Sequence, residues 1–475
     1  MQTRPWRPLG HAHPAHLRSF LRGLPAWHLL GPLDEPQLCS IYECLDRGLL
    51  EEAQDQCEHL AGDSSKEALS FLVLLDILRA WGDSLGATAL AREAPFAAGT
   101  REEAAAALAA SYCTLMAGAR EGNVTLQKEV EKVQDMLFSL SSSSPVPSLA
   151  QGAAFMIAAE ANMATGSLAA AAQAAKRAVS CYRSIDDAKG QAAALRCLAL
   201  ASLGSQRLAE AAQSAKLAAT RARFVGDVLG EGCALRLASE AELRQGDTQQ
   251  AATLAQDSAA LFQIKGDTFN QADALLSAAA ALCLRAQQRK ANAQRSSLES
   301  WAFQASALAD KVLTMQCQGT LEVDALLARS WAATVVGPSA GPGQSEQALE
   351  DAQKAERLAI DISDRRRVAA ARVARAQALV VQSEDALALD MLNEAHSLFQ
   401  RAGDADGARF AATYMSGAGG GGASKASSKP EDHVYAGCAT WEGLAKQPDQ
   451  WWADHIHFQF AGLQGRPVAN TVKRK

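Results

Sequence analysis

The stretch LAAAAQAAKRAVSCYRSIDDAKGQ (168–191) recurs as LAEAAQSAKLAATRARFVGDVLGE (208–231), 40 residues further along the chain. The same step relates the aspartates that close successive copies, and the residues three places after them: Asp187, Asp227 and Asp267; Gly190, Gly230 and Asn270. A fixed period of this size is typical of stacked supersecondary units, none of which can bury its apolar face alone. The period therefore predicts a helical-repeat protein.

The repeat continues beyond Asp267 once two insertions are taken into account. QADALL (271–276) recurs as EVDALL (322–327), a step of 51 residues, which is 11 more than 40. The polar and basic RAQQRKANAQRSS (285–297) supplies the first insertion, and GPSAGPGQS (337–345) reads as a second loop. In this register one alanine opens the second helix of six copies: Ala171, Ala211, Ala251, Ala302, Ala348 and Ala388.

Each copy has two amphipathic patterns, with apolar residues at i, i+3, i+4 and i+7. In the second copy the pattern predicts helices at about 190–203 and 208–224. Glycine at a turn tolerates the left-handed conformation that ends a helix. The Gly-Asp pairs at 226–227 and 266–267 add a carboxylate suited to capping the next helix.

The flanking segments differ in composition from this block. We predict an irregular tail at 1–34, three degenerate helical hairpins at 35–149, the regular solenoid at 150–415, a Gly/Ser linker at 416–432 and an aromatic segment at 433–475.

Composition limits the function. The net charge of −6 and the pI of about 5.9 disfavour a chain-wide nucleic-acid surface. The ten cysteines include no CxxC, which favours reduced thiols in an intracellular, cytoplasmic protein. The first 33 residues carry four arginines and no acidic residue, so organelle targeting is the alternative to a flexible tail.

The alanine of the second helix is followed seven residues later by another small residue: Ala178, Ala218, Ser258, Ala309, Ala355 and Ala395. Together with the turn glycines Gly166 and Gly246, this pattern resembles a tetratricopeptide repeat (TPR), in the long-helix variant of Pins-type and kinesin-light-chain-type repeats. The resemblance implies an all-α, right-handed α-solenoid of antiparallel helical hairpins. It also implies a non-catalytic scaffold for protein–protein interaction.

In such a solenoid the first helices line a groove. Helical phase points these residues toward it: Met156, Glu160, Arg196, Arg236, Glu240 and Arg244. Arg196 and Arg236 are 40 apart and would form a ladder of guanidinium groups suited to the carboxylates of an acidic peptide. In the alternative reading, the two arginines pair with Glu160 and Glu240 as a solvated charge network.

The C-terminal segment contains WWADHIHFQF (451–460). Its aromatic residues could dock into the solenoid itself or serve as a hot spot for a partner: Trp441, Trp451, Trp452 and Phe458. A metal site at His455 and His457, with help from Asp454, His433 and Cys438, is a weaker third reading, and we assign no metal.

The sequence has no GxxxxGK[ST] and no HExxH. GxSxG occurs as GDSLG (82–86) and GPSAG (337–341), but in a predicted all-α chain neither follows the strand that this motif requires. We therefore expect no enzyme activity and no cofactor. The alternative function is an effector, or an enzyme-associated protein, regulated by docking of the aromatic segment into the groove. The basic residues of 285–295 could touch RNA or acidic lipid, although a solvated loop is the simpler reading. We predict a protein or peptide partner, without nucleic acid or membrane.

Overall fold

The computed structural model describes residues 49–61, 67–80, 84–93, 149–164, 167–289, 294–315, 319–336 and 342–402, with isolated positions elsewhere between 38 and 415. Every element in these ranges is helical. The helices are α1 (Leu50–Ala61), α2 (Glu67–Ala80), α3 (Ser84–Arg92), α4 (Leu149–Ala164), α5 (Leu168–Ser184), α6 (Ala188–Gly204), α7 (Leu208–Phe224), α8 (Val228–Gln245), α9 (Thr248–Ile264), α10 (Thr268–Arg289), α11 (Arg295–Thr314), α12 (Thr320–Val335), α13 (Pro342–Asp361), α14 (Arg365–Val381) and α15 (Asp385–Arg401).

From α4 onward the helices alternate as first and second members of antiparallel hairpins. Two compact units are present. Unit one contains the described residues up to Ala238, together with Leu261–Asp267, and unit two contains Ser239–Ala260 and the described residues from Thr268 onward. In unit one, the first helices α4 and α6 contact each other; in unit two, α10 contacts α12 and α12 contacts α14. Stacking of first helices within each unit is the packing that the 40-residue repeat predicts.

The turns divide the repeat into two halves of 20 residues. A residue with positive φ ends a helix at 186, 206, 226, 246 and 266, and again at 363 and 383. The next residue donates its amide to the carbonyl five positions earlier, as from Asp187 to Tyr182 at 2.9 Å. These are Schellman motifs, which satisfy the last carbonyls of each helix. A new helix begins two residues after the left-handed position.

The residue that closes the Schellman motif is also the N-cap of the following helix. At several aspartate N-caps the side-chain carboxylate accepts from the amide three residues further on, as Asp227 does from Gly230 at 2.9 Å and Asp404 from Gly407 at 2.9 Å. The prediction that Gly-Asp both stops one helix and caps the next is confirmed at Gly226–Asp227.

Small side chains form the core between the helices. All six alanines that open the second helices are buried, as are Ser258 and the five alanines seven residues after them. Alanine lets helix axes approach closely, so the scarcity of aromatic residues is consistent with tight stacking rather than a weak core.

The few buried aromatic rings fill gaps left by glycine. Tyr182 and Phe399 occupy the same position near the ends of α5 and α15, and both rings are fully buried. Added β-carbons at Gly190 and Gly407 would collide with these two rings. The repeat therefore uses matched volumes: a large ring in one helix faces a glycine in the next.

Two details of the predicted insertions are wrong. Most of the first insertion is helical, because α10 runs to Arg289 and α11 begins at Arg295, which makes both helices longer than the usual 17 residues. Helix α13 begins at Pro342, inside the segment expected to be a loop. Proline is compatible with a helix start, since it lacks only an amide that would be unpaired there.

Helices α1 to α3 match segments of the first two expected N-terminal hairpins. The third expected hairpin, the tail at 1–34, the linker and the aromatic segment lie outside the described residues, apart from isolated positions. No helix among the described residues is long and apolar enough to cross a membrane.

Candidate functional site

The first helices carry the residues expected to line a groove. Met156 lies on α4 and is buried, and Arg196 lies on α6 and is half-buried. The side chain of Glu160 is outside the described set, as are Trp441, Trp451, Trp452 and Phe458.

Helix α8 carries the other three. Arg236 is buried, with 7% of its surface exposed, in unit one. Glu240 and Arg244 lie one turn apart in unit two and form an ion pair. The structure therefore brings together two of the residues that sequence analysis assigned separately. The guanidinium ladder of Arg196 and Arg236 stays a prediction.

The pair of Glu240 and Arg244 is held by one hydrogen bond, from Arg244 Nε to Glu240 Oε1 at 2.5 Å. The side chain of Glu240 is 2% exposed and that of Arg244 is 13% exposed. Among the described residues, no hydrogen-bond partner reaches Glu240 Oε2 or the two terminal nitrogens of Arg244, Nη1 and Nη2. Burial without a partner is costly for such atoms, so they require either ordered water or a ligand.

The unsatisfied atoms have a definite chemistry. Arg244 offers two donor groups in one plane, and Glu240 offers one acceptor beside them. A peptide backbone supplies the complement, since its carbonyl accepts and its amide donates. A carboxylate suits Arg244 as well, although Glu240 already neutralises much of the guanidinium charge.

Unit two also contains arginines that sequence analysis missed. Arg329 on α12 donates to Asp351 of α13 through Nε at 2.7 Å and Nη2 at 2.6 Å. Its Nη1 donates to Asp310 of α11 at 2.7 Å. One arginine of a first helix thus joins two successive second helices. The hydrogen bonds that Arg329 donates to Asp351 raise the pKa of its guanidinium above the ordinary arginine value.

The next hairpin repeats this arrangement. Arg372 of α14 contacts Glu356 of α13 and Glu394 of α15, both at 2.8 Å. Arg375 donates to the second oxygen of Glu356 at 2.6 Å. A signal for this network was present in the sequence, because Arg329 and Arg375 are 46 residues apart, the same step that separates Ala302 from Ala348.

A third arginine of α14, at the start of the helix, has only 16% of its side chain exposed. Arg367 forms a bidentate pair with Asp324 of α12, at 3.0 and 2.9 Å, and also contacts its own N-cap, Asp364. Burial raises the pKa of Asp324, and the attraction of Arg367 opposes that rise. For Asp364 burial acts in the same direction, but Arg367 outweighs it and the pKa of Asp364 is lowered.

These two groups of charges differ in what they can do. Hydrogen bonds between helices occupy most of the polar atoms around Arg329, Arg367 and Arg372, and so these residues fasten successive hairpins together. The pair of Glu240 and Arg244 on α8 has two donor groups and one acceptor without partners among the described residues. It is the better candidate for ligand contact.

No family model and no curated protein matches the sequence. Solved structures with a similar fold include the apo form of RapI, with 10% identity over 74% of this chain and 96% of that one and a TM-score of 0.49. A STAND protein with a tetratricopeptide repeat sensor from Pyrococcus horikoshii is 13% identical over 82% of this chain and 63% of its own chain, with a TM-score of 0.48. Aspartyl phosphate phosphatase F from Bacillus subtilis has 10% identity over 84% and 97%, with a TM-score of 0.45. The protein itself, with its stacked antiparallel hairpins of two 20-residue halves, is a TPR-like helical-repeat protein.

Proposed function

We propose that the protein is a non-catalytic interaction scaffold that binds an extended peptide segment of a partner protein along its first helices. The observation that carries the proposal is the buried pair of Glu240 and Arg244 on α8, with one acceptor and two donor groups lacking partners among the described residues. A peptide backbone satisfies both kinds of atom at once. Extended peptides also present such groups at regular intervals, which suits a repeat protein.

The half-buried Arg196 and the buried Arg236 supply further positive charge on the first helices α6 and α8. We propose that they favour peptides with acidic side chains. Arginine suits this task because its planar guanidinium binds a carboxylate through two parallel hydrogen bonds.

A random peptide library displayed on phage tests the proposal with the full chain as bait. We expect enriched peptides, and we expect Arg244→Gln to weaken their binding about tenfold, the loss of one charge-assisted hydrogen bond. Arg357→Gln is the matched control, because Arg357 is an exposed arginine on the second helix α13.

Affinity capture of cellular partners with Arg196→Glu and Arg236→Glu tests the acidic preference separately. Loss of captured proteins, with an unchanged melting temperature, is the expected result. If neither the library nor the captured set responds to substitutions on the first helices, the proposal is wrong.

A further inference from the structure

Helix α7 exposes an apolar stripe on the side opposite to its core contacts. Its apolar residues are Leu217 and Phe224, and the polar Gln213 and Thr220 lie on the same face; the four are spaced by four, three and four residues, and all are exposed. Phe224 has 78% of its surface exposed and Leu217 has 39%. Seven residues separate these two, so the apolar part of the stripe extends about 10 Å along the helix.

The apolar character continues beyond α7 within unit one. Val225 follows directly in the turn, and Ile264, 40 residues after Phe224, is 73% exposed. The fold does not require apolar side chains at this register position, since Ser184, Asp361 and Arg401 stand there in other hairpins. Two large exposed apolar residues at one repeat position are therefore a feature of this region and not of the repeat.

The surroundings of the α7 stripe are strongly basic. Helices α5 and α7 together contain six lysines and arginines and a single acidic residue, Glu210, although the whole chain has a net charge of −6. Helical phase places Arg221 on one side of the stripe and Lys216 and Arg223 on the other. Glu210 is paired with Lys176 at 2.6 Å, and Arg223 is paired with Glu231 of α8, also at 2.6 Å.

We infer that the α7 stripe is a docking site for an amphipathic helix with acidic flanks, contributed by a partner protein. Apolar residues of that helix, at i, i+3 or i+4, and i+7, cover Leu217 and Phe224. Carboxylates on both of its sides then face Lys216 and Arg221. A stripe with Arg221 on one side and Lys216 on the other matches this kind of ligand in both shape and charge.

Charge excludes the nearest competitors within the same chain. The aromatic segment 433–475 has five basic and three acidic residues, and the tail 1–34 has four arginines and one aspartate. A two-fold contact with a second copy of the protein would place two identical basic stripes against each other. We therefore assign the complementary charge to a different, acidic chain.

Three helical probe peptides of equal length test the inference by fluorescence anisotropy with the full chain. All carry leucines at i, i+3 and i+7; the first has glutamates at the flanking positions, the second has lysines, and the third has the first composition in scrambled order. We expect only the glutamate peptide to bind, with affinity that falls as salt rises. Phe224→Ser combined with Leu217→Ser should weaken it at least about tenfold.

Phe303→Ser is the matched control. Phe303 is 75% exposed on another second helix, α11, where two basic and two acidic residues balance. This substitution should leave binding unchanged, as should Arg244→Gln, which affects only the peptide site on α8. If Arg244→Gln no longer binds the library peptides but still binds the glutamate peptide, the α7 stripe binds its ligand independently of the peptide site on α8. The two proposals can then fail separately.

Four results would overturn the inference. They are equal binding of the lysine peptide, equal weakening by Phe303→Ser, and tighter binding either to vesicles of phosphatidylcholine and phosphatidylserine or to a mixed-sequence single-stranded RNA. Circular dichroism melting of each variant shows whether a loss of binding reflects unfolding.

Discussion

The guanidinium of Arg367 and the buried carboxylate of Asp324 form a bidentate pair that joins the first helices of two successive hairpins, α14 and α12. At the equivalent position after the N-cap, other hairpins have glycine: Gly190, Gly230 and Gly407. Before Arg367, Ala359 takes the place of the large rings Tyr182 and Phe399. At Gly190 and Gly407 a ring contacts the position that Arg367 occupies here, and in α14 a charged pair takes the place of that apolar contact.

Removal of one member of this pair should be strongly destabilising. Arg367→Met leaves the carboxylate of Asp324 buried without its partner, and we expect a loss of about 3–5 kcal/mol in the free energy of unfolding. The measurement is the urea midpoint by circular dichroism. Arg365→Met, an exposed arginine on the same helix, is the control, and Asp324→Leu combined with Arg367→Met should recover much of the loss. A single variant as stable as the parent would contradict this account.

Acid should weaken the junction of α13 and α14 through Glu356. Although burial of this carboxyl acts to raise its pKa, hydrogen bonds from Arg372 and Arg375 outweigh burial and lower it. A lowered folded-state pKa stabilises the protein above the ordinary glutamate pKa, and this contribution disappears as the pH falls below about 4. The urea midpoint should therefore decrease as the pH is lowered through this range.

Glu356→Gln should flatten that decline and lower the stability at neutral pH, because two guanidinium groups lose their partner. Glu350→Gln, at an exposed carboxylate of the same helix, should change neither. An unaltered pH profile for Glu356→Gln would show that other carboxyls cause the acid response.

Gly190→Ala should destabilise α6 against α5, since the new methyl group would overlap the ring of Tyr182. Overpacking of this kind costs about 1–3 kcal/mol. Thermal melting checks the value, with Gly343→Ala as control, because nothing lies within 4 Å of a methyl group there. In a Tyr182→Leu background, Gly190→Ala should destabilise the protein less than it does alone. If the losses of stability from the two substitutions simply add, the tyrosine ring and the new methyl group do not compete for the same space.

The left-handed turn residues allow a test with opposite signs. Gln206 has φ of 58° and Gly246 has φ of 90° at the same repeat position. Gly246→Ala should cost about 1 kcal/mol, whereas Gln206→Gly should be neutral or stabilising, since it removes steric strain at the price of a more flexible unfolded chain. Melting temperatures of the two variants should move in opposite directions or differ by several degrees. Equal shifts would argue against strain at the turns.

The repeat and its turns were predictable because both leave a periodic trace. Asp187, Asp227 and Asp267 each end one helix and cap the next. Because few residue types can do both, aspartate recurs at this position and the repeat can be recognised in a single sequence. The observed bounds of α6 and α7 differ from the predicted ones by two residues or fewer.

The insertions and the charge network were harder to predict. Length alone does not show whether added residues form a loop or extend the helices around it, and at 342–345 the Gly/Pro composition pointed to the wrong answer. Arg329 and Arg372 act through residues about 20 positions away on both sides, and such pairings depend on the exact phase of three helices. Helical phase assigned the predicted groove residues to one face of the first helices, and that assignment stays a prediction. The hydrogen bond between Arg244 and Glu240 could be seen only in the structure.

The aspartates at the turns have a mechanical consequence. Asp227 closes α7 and starts α8 with no intervening residue, so the loss of either helix removes the terminal hydrogen bonds of the other. Fraying cannot stay confined to one end: the opening of one helix exposes the first amides of its neighbour. In native-state hydrogen exchange, amides on the two sides of such an aspartate should therefore exchange at the same rate, and opening should spread along the array by pairs of helices.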